Sequence, residues 1–275
     1  MEYRVITHTD SIAHQSLPTA LIQSVFGIDF TPWLERSLWG DTYQCHVILD
    51  KGRVVSNIAV LEMDLWVQGK PVHAAQLGGV ATLPPYRSQG LSRQLMTYVL
   101  AQYPMPLFLF ANDSVLDFYP RFGFRPFALR QPYINITPSS QPGKLQALSV
   151  QQTGTINHYL HMPRPMSARM DCINTSVQWF HCLLDYADHL YEIPGKALVI
   201  CEKQQERLLL YDVCGGIMWE ELFEYLPLNG VREIVFGFEP DRLGVTPLYR
   251  SQPEEPAFAL RWQPGVCTIP ETVKT

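Results

Sequence analysis

Apolar positions along the chain change their period several times, and each change predicts an element. "YQCHVILD" at 43–50 and "RVVSNIAVLEMDLWVQ" at 53–68 are rich in β-branched and aromatic residues and flank the turn sequence "DKGR". "QGKP" then turns the chain into "VHAAQLGGVATL", so the three runs predict an antiparallel meander. Upstream, "YRVI" at 3–6 reads as a strand, and Ser11 to about Trp39 reads as helical, broken around Pro18 and Pro32. Downstream, Leu91, Leu95, Val99 and Leu100 recur at helical spacing in "SQGLSRQLMTYVLAQ", and "PLFLFA" is a short buried strand. "DSVLDFYPRF" predicts another short helix, before a strand near "FALRQPYINI".

"TPSSQPGK" at 137–144 concentrates Pro, Ser and Gly and predicts a boundary, giving one domain over 1–137 and a second lobe over 144–275. In that lobe "TSVQWFHCLLDYADHL" reads as a helix, "ALVICEKQQERLLLYDV" as a hairpin, "MWEELFEYL" as a helix and "REIVFGF" as a strand. This series echoes residues 43–110 in pattern although the residues barely match, which predicts a duplication. The fold class is α/β (α+β): a mixed, mostly antiparallel sheet flanked by helices, with a degenerate second copy.

The 275 residues are 47% apolar, enough for a substantial core, and the formal net charge of -5 argues against nucleic acid as a partner. The N-terminal "MEYRVITHTD" lacks a basic segment followed by an apolar core, and no apolar run approaches the roughly 20 residues that span a bilayer, so the expectation is a cytoplasmic protein with no membrane partner. Six cysteines without a CxxC pair predict reduced core thiols. "HYLH" at 158–161 lacks a nearby Cys or clustered acid, "QCHV" points Cys45 and His46 to opposite faces of a strand, and no GxSxG is present. Neither a metal nor a covalent nucleophile is expected. The pattern is compatible with an oligomer.

The candidate chemistry sits in "GGVATLPPYRSQGLSRQLM" at 78–96, where a strand ends in a short loop and feeds a helix. Such a junction aims unpaired backbone N–H groups and the positive end of the helix dipole at one place. Gly90 lets a ligand approach the backbone, Arg87 and Arg93 add fixed charge, and no acid occurs from Val80 to Tyr98. A pyrophosphate suits this loop, although it is neither GxxxxGK[ST] nor GxGxxG.

These residues resemble the acetyl-CoA-binding core of the GNAT (GCN5-related) superfamily of N-acetyltransferases. The family pattern (R/Q)xxGx(G/A) is met by Arg87 and Gly90, with Ser92 in the last place; the second motif, Asn followed by a helix ending in FYxxxGF, is met by Asn112, Phe118, Tyr119, Gly123 and Phe124. The resemblance covers residues 1–135, and a GNAT core followed by a degenerate lobe is similar to acetyltransferases of the enhanced-intracellular-survival type. It implies acetyl-CoA as cosubstrate. Main-chain groups of Val80, Ala81 and Thr82 would bond the pantetheine arm, and Ser88, Gln89, Gly90, Leu91, Ser92 and Arg93 would wrap the pyrophosphate. Asn112, Ser114 and Val115 would face the cofactor from across the gap, and Gly78 with Gly79 suits a bulge beside it.

Acetyl transfer to an amine needs a proton acceptor and a partner for the leaving thiolate. The resemblance points to Tyr119 as general acid, and Pro120 is expected to end its helix and expose the phenol. The family's usual strand glutamate is replaced by Gly78, and Glu62 on the preceding strand is the first choice of base, ahead of His73 and His46, with a water chain as an alternative. Trp33, Trp39, Tyr43 and Trp66 are core residues that could also line an amine pocket. "DVCGGIMWEELF" in the second lobe has no arginine, and Glu220 and Glu221 enter its helix, so only the first lobe is expected to bind acetyl-CoA. The function expected is acetyl transfer, without a covalent enzyme intermediate, to a primary amine of a small molecule or an exposed protein or peptide amine. The alternatives are a silent acyl-CoA sensor and a two-lobed acyl or aminoacyl transferase using another donor.

Overall fold

The computed structural model describes residues 1–252 and 255–275. The first half contains β1 (Glu2–Ile6), α1 (Ile12–Phe26), α2 (Thr31–Glu35), β2 (Tyr43–Asp50), β3 (Arg53–Val67), β4 (Lys70–Thr82), α3 (Leu91–Gln102), β5 (Leu107–Phe110), β6 (Arg125–Phe127) and β7 (Arg130–Asn135). The second contains β8 (Gln146–Ala147), α4 (Thr153–Leu160), β9 (Met170–Cys172), α5 (Thr175–Leu184), β10 (Leu190–Ile193), β11 (Ala197–Gln204), β12 (Arg207–Gly215), α6 (Trp219–Phe223), β13 (Glu233–Phe236), β14 (Leu248–Ser251) and β15 (Ala257–Leu260).

The meander forms as its turn sequences predict, with β2–β3–β4 antiparallel in register Tyr43↔Leu61 and Leu61↔Gln76. Pro18 does not break the first helix. It lies inside α1 with its ring buried, and the helix stops instead at Gly27, where a left-handed residue closes the last turn onto the Gln23 carbonyl. Ser11 caps the other end by accepting from the His14 amide. Pro32 sits in the first turn of α2, where its missing N–H is harmless. Alternation along β2 places Tyr43, against Trp33 of α2, and His46, against Tyr103 after α3, on opposite faces, so the helices cover both sides of the sheet.

Two sheets run β1-β2-β3-β4-β5-β15-β6 and β14-β7-β13-β12-β11-β10-β8, with β9 added to β3 at Leu65–Val67, beyond the end of β2. Each contains an antiparallel hairpin followed by a parallel neighbour: β3–β4 then β5, and β11–β12 then β13. The last strands are exchanged. β7, from the first half, pairs between β13 and β14 of the second sheet, while β15, from the second half, pairs between β5 and β6 of the first. Sheet pairing therefore crosses the 137–144 segment in both directions. The first core likewise includes Met170, Cys172, Phe258, Ile269 and Val273 from the second half. All six cysteines are free and buried, and no helix among the described residues is long and apolar enough to cross a membrane.

Candidate acetyl-transfer site

β4 and β5 pair in parallel only at Ala75↔Leu107 and Gln76↔Phe108, and then they splay. The gap opens into a cleft of about 870 Å³ that runs between Leu77–Thr82 on one wall and Phe110–Tyr119 on the other. A β-bulge shapes the first wall: Asn57 faces Ala81 and Ala59 faces Gly78, which leaves Gly79 and Val80 together opposite Ile58. Gly79 has φ +53°, and a Cβ there would lie 2.8 Å from Ile22 Cδ1. The Asn57 amide donates to the Gly79 carbonyl at 2.8 Å and holds the kink. A Cβ on Gly78 would lie 2.8 Å from Thr275 Oγ1, so that side chain would have to move aside.

At the end of β4 a single 3₁₀ turn, Pro84–Tyr86, leads to Arg87, whose Nε donates to the Thr82 carbonyl at 3.1 Å. Ser88 and Gly90 then take φ of +61° and +80°, and α3 starts at Leu91. Among the described residues the amides of Ser88 to Arg93 meet no hydrogen-bond partner; the first bond of the new helix is Gln94 N to Gly90 O. Six donors are thus left at one corner, at the positive end of a twelve-residue helix with no acid in its first turn. The Ser92 and Thr82 hydroxyls lie 2.7 Å apart and tie the helix start to the strand end. Val80, Ala81, Thr82, Arg87, Ser92, Asn112, Ser114 and Val115 line the cleft; Ser88, Gln89, Gly90 and Leu91 connect Arg87 to Ser92 at its loop end. Arg93 is exposed beyond it, and the Leu91 side chain is buried in the core, leaving only its backbone for a ligand.

The expected helix over "DSVLDFYPRF" is instead two 3₁₀ turns, Asp113–Val115 and Tyr119–Phe122. Pro120 cannot donate to residue 116, and Gly123 in the left-handed region closes the second turn at once. Tyr119 is 5% exposed, packed against Phe118, Phe124 and Phe258, and it lines the cleft. Burial pushes its pKa up to about 12. Among the described residues no side chain or carbonyl bonds its hydroxyl, and the residue lines the cleft.

Glu62 does not reach this place. It pairs with Ala75, before the sheet splays, and its carboxylate meets His73 Nε2 at 3.1 Å while Asp64 meets Nδ1 at 2.9 Å. Those two bonds, Asp64 first, raise the His73 pKa and make the trio a surface ion cluster. His46 is buried between Tyr3 and Tyr103, away from the lining. Trp33 and Tyr43 line the cleft, whereas Trp39 and Trp66 do not. No cluster suited to a metal occurs among the described residues. His181 and Asp185 at the end of α5, Glu255, Lys274 and Thr275 also line the cleft and were not candidates from the sequence. They come from elements distant in the chain, and nothing in their local spacing marks them.

The second lobe closes its equivalent gap with its own chain. Pairing of β12 with β13 stops at Leu210↔Phe236, and there Glu271 N donates to Gly237 O at 2.7 Å while Thr272 Oγ1 donates to Asp212 Oδ2 at 2.5 Å. Thr272 and Val273 are fully buried in the process. The loop end is also unlike that of the first lobe: α6 has five residues and carries Glu220 and Glu221 in its first turn.

Residues 16–127 match the family model of the acetyltransferase (GNAT) domain. No curated protein matches the sequence. Among solved structures, Eis1 from Mycobacterium abscessus aligns at 16% identity over 94% of this chain and 73% of that one, with a TM-score of 0.56. A probable N-acyltransferase from Enterococcus faecalis aligns at 17% identity over 94% and 72%, with a TM-score of 0.55. A GCN5-related N-acetyltransferase from Anabaena variabilis aligns at 13% identity over 94% and 72%, with a TM-score of 0.57. At such identities the likeness is one of fold, and it spans both lobes. The splayed and bulged first sheet, its anion-ready loop and the family match together identify residues 16–127 as a GNAT acetyltransferase domain within a two-lobed GNAT fold.

Proposed function

We propose that the protein is an acetyl-CoA-dependent N-acetyltransferase that moves an acetyl group directly to a primary amine. The observation that carries this reading is the pairing of an open strand gap with six partnerless amides at its loop end. Main-chain groups of Val80 to Thr82 bind the pantetheine arm as an added strand, and the amides of Ser88 to Arg93, with Arg87, bind the pyrophosphate. Asn112, Ser114 and Val115 hold the cofactor from the opposite wall. Main-chain N–H groups along the bulged wall, at Gly79 and Val80, are assigned to stabilise the oxyanion that develops on the thioester carbonyl.

The amine nitrogen attacks that carbonyl, the C–S bond breaks, and one proton passes from nitrogen toward sulfur. Tyr119 is the thiolate partner. With a pKa of about 12 it is protonated at neutral pH and able to donate. Full transfer to a thiolate whose conjugate acid has pKa about 8.5 is uphill by on the order of 5 kcal/mol. Tyr119 therefore hydrogen-bonds the departing sulfur, and the amine's own proton completes the thiol, while water in the cleft takes the proton that an ammonium must lose before attack.

Thiol release from acetyl-CoA in the presence of a primary amine, with detection of the N-acetyl product, tests the function. Absence of release together with no saturable heat on titration with CoA would defeat it. Tyr119→Phe should lower kcat by about 10²-fold or more while leaving the CoA dissociation constant unchanged. An unchanged kcat would remove Tyr119 from the chemistry.

A further inference from the structure

The two ends of the cleft are unlike. At the loop its wall is polar main chain, whereas the end of α1, the turn after it and α5 present hydrocarbon: Ile22, Phe26, Ile28, Phe30 and Phe180. Phe30 stands edge-on to Phe180 with ring centroids 5.1 Å apart, and Trp33 meets both edge-on at 6.0 and 5.7 Å. This wall is a packed set of rings, not a loose flap. Phe26 and Ile28 nonetheless stay 36% and 39% exposed, as does Val115 at 38% on the wall after β5. Single exposed apolar side chains carry no message, but Phe26 and Ile28 together on a packed aromatic wall mark surface that an acceptor covers, while Val115 belongs to the wall assigned to the cofactor.

Charge in the cleft is sparse, and away from the loop end it is already matched. Among the described residues, apart from the phenols of Tyr43 and Tyr119, its titratable lining consists of Arg87 at the loop end, and His181, Asp185, Glu255 and Lys274 beside α5. Asp185 Oδ2 lies 2.6 Å from His181 Nδ1, and Glu255 Oε2 accepts from Lys274 Nζ at 2.6 Å. A polycation would have to compete with His181 for Asp185 and with Lys274, which also pairs with Glu271, for Glu255. A monoamine needs no such exchange.

We propose that the acceptor is a small primary monoamine on an apolar body, aromatic or long-alkyl, seated against Phe26, Ile28, Phe30 and Phe180 with its nitrogen turned toward Val80 and Tyr119. The proposal rests on the acetyl-transfer reading above and names its substrate class. In the step itself the N–C bond forms, the C–S bond breaks, one proton leaves nitrogen and one ends on sulfur.

The test is thiol release from acetyl-CoA by the full chain with 2-phenylethylamine, hexylamine, ethylamine, spermidine, kanamycin and a tetrapeptide beginning with phenylalanine. The two apolar amines should exceed ethylamine and both polycations in kcat/KM by about tenfold or more. In the double variant Phe26→Ser, Ile28→Ser the ratio of 2-phenylethylamine to ethylamine should fall by about tenfold, with CoA still bound on calorimetry. Preference for spermidine or kanamycin, or turnover indifferent to the apolar body, overturns the proposal and leaves acetyl transfer standing. Preference for the tetrapeptide over 2-phenylethylamine overturns its small-molecule form. Turnover with none of these amines and no CoA binding overturns the acetyl-transfer reading, and this inference with it.

Discussion

His46 ties the stability of the sheet to pH. It is 2% exposed on β2, with Tyr3 Oη 2.6 Å from Nδ1 and Tyr103 Oη 2.9 Å from Nε2. Tyr103 donates onward to Gln44 Oε1, which suits an imidazole protonated on Nε2 alone. Burial lowers its pKa from the ordinary imidazole value of about 6.5 to about 4. The depressed value means that the unfolded chain binds the proton first, so the stabilisation is complete above pH 6.5 and is lost as pH falls toward 4, by on the order of 3 kcal/mol. Urea midpoints across that range should show the loss, and His46→Gln should flatten it. Residue by residue, legibility in the sequence followed chain locality. Tyr119 was placed by a motif whose members are neighbours, and the structure puts it on the cleft. The two faces of β3 were also readable by alternation, yet Glu62 misses the cleft because it faces Ala75, where β4 is still paired to β5. The point at which two strands part is a tertiary property with no local pattern.

At the scale of elements, the meander and α3 were legible because turn chemistry and a 3.6-residue period agree there. Periodicity misled where backbone chemistry overrode it: Val115, Phe118, Tyr119 and Phe122 have helical spacing, but Pro120 splits them into two tight turns. The one strand expected near "FALRQPYINI" is two that go to different sheets, β6, which ends at Phe127, and β7, which begins at Arg130. Two glycines set the shape of β4 and the loop that follows it, for different reasons. A Cβ at Gly90 would meet nothing within 4 Å, so only its φ of +80° resists substitution, and Gly90→Ala should cost about 1 kcal/mol. Gly79 has a positive φ and Ile22 beside it, so Gly79→Ala should cost about 2 kcal/mol or more and weaken CoA binding as the bulge relaxes. Thermal denaturation with and without CoA measures both; equal costs would show that packing at the bulge contributes nothing.

Across the whole molecule, a buried ion network joins the two sheets. Arg164 and Arg242 both bridge Asp171, beside the first sheet on β9, to Asp212 on β12, with N–O distances from 2.5 to 3.2 Å. Burial alone would raise the Asp212 pKa, but Arg242 and Arg164 hold it well below the usual carboxylate range. Asp212→Asn leaves two guanidinium groups short of charge in the interior and should cost about 3–5 kcal/mol, read as a shift of the urea midpoint of a single cooperative transition. Two separate transitions in the wild type would show that the lobes unfold independently. None of this was legible from one sequence. "AFAL" at 257–260 suits a strand in any sheet, and its partner β5 lies more than half the chain away.

That reciprocal exchange of β7 and β15 bears on how the protein is made. A ribosome releases β5 and β6 long before the strand that belongs between them, and it releases β7 before either of its neighbours exists. The usual N-terminal-first, domain-by-domain route during synthesis is therefore closed to this chain. Its nascent half must wait with raw strand edges, which makes the interval before β15 emerges the stage at which chaperones are most needed and misassembly between neighbouring nascent chains is most costly.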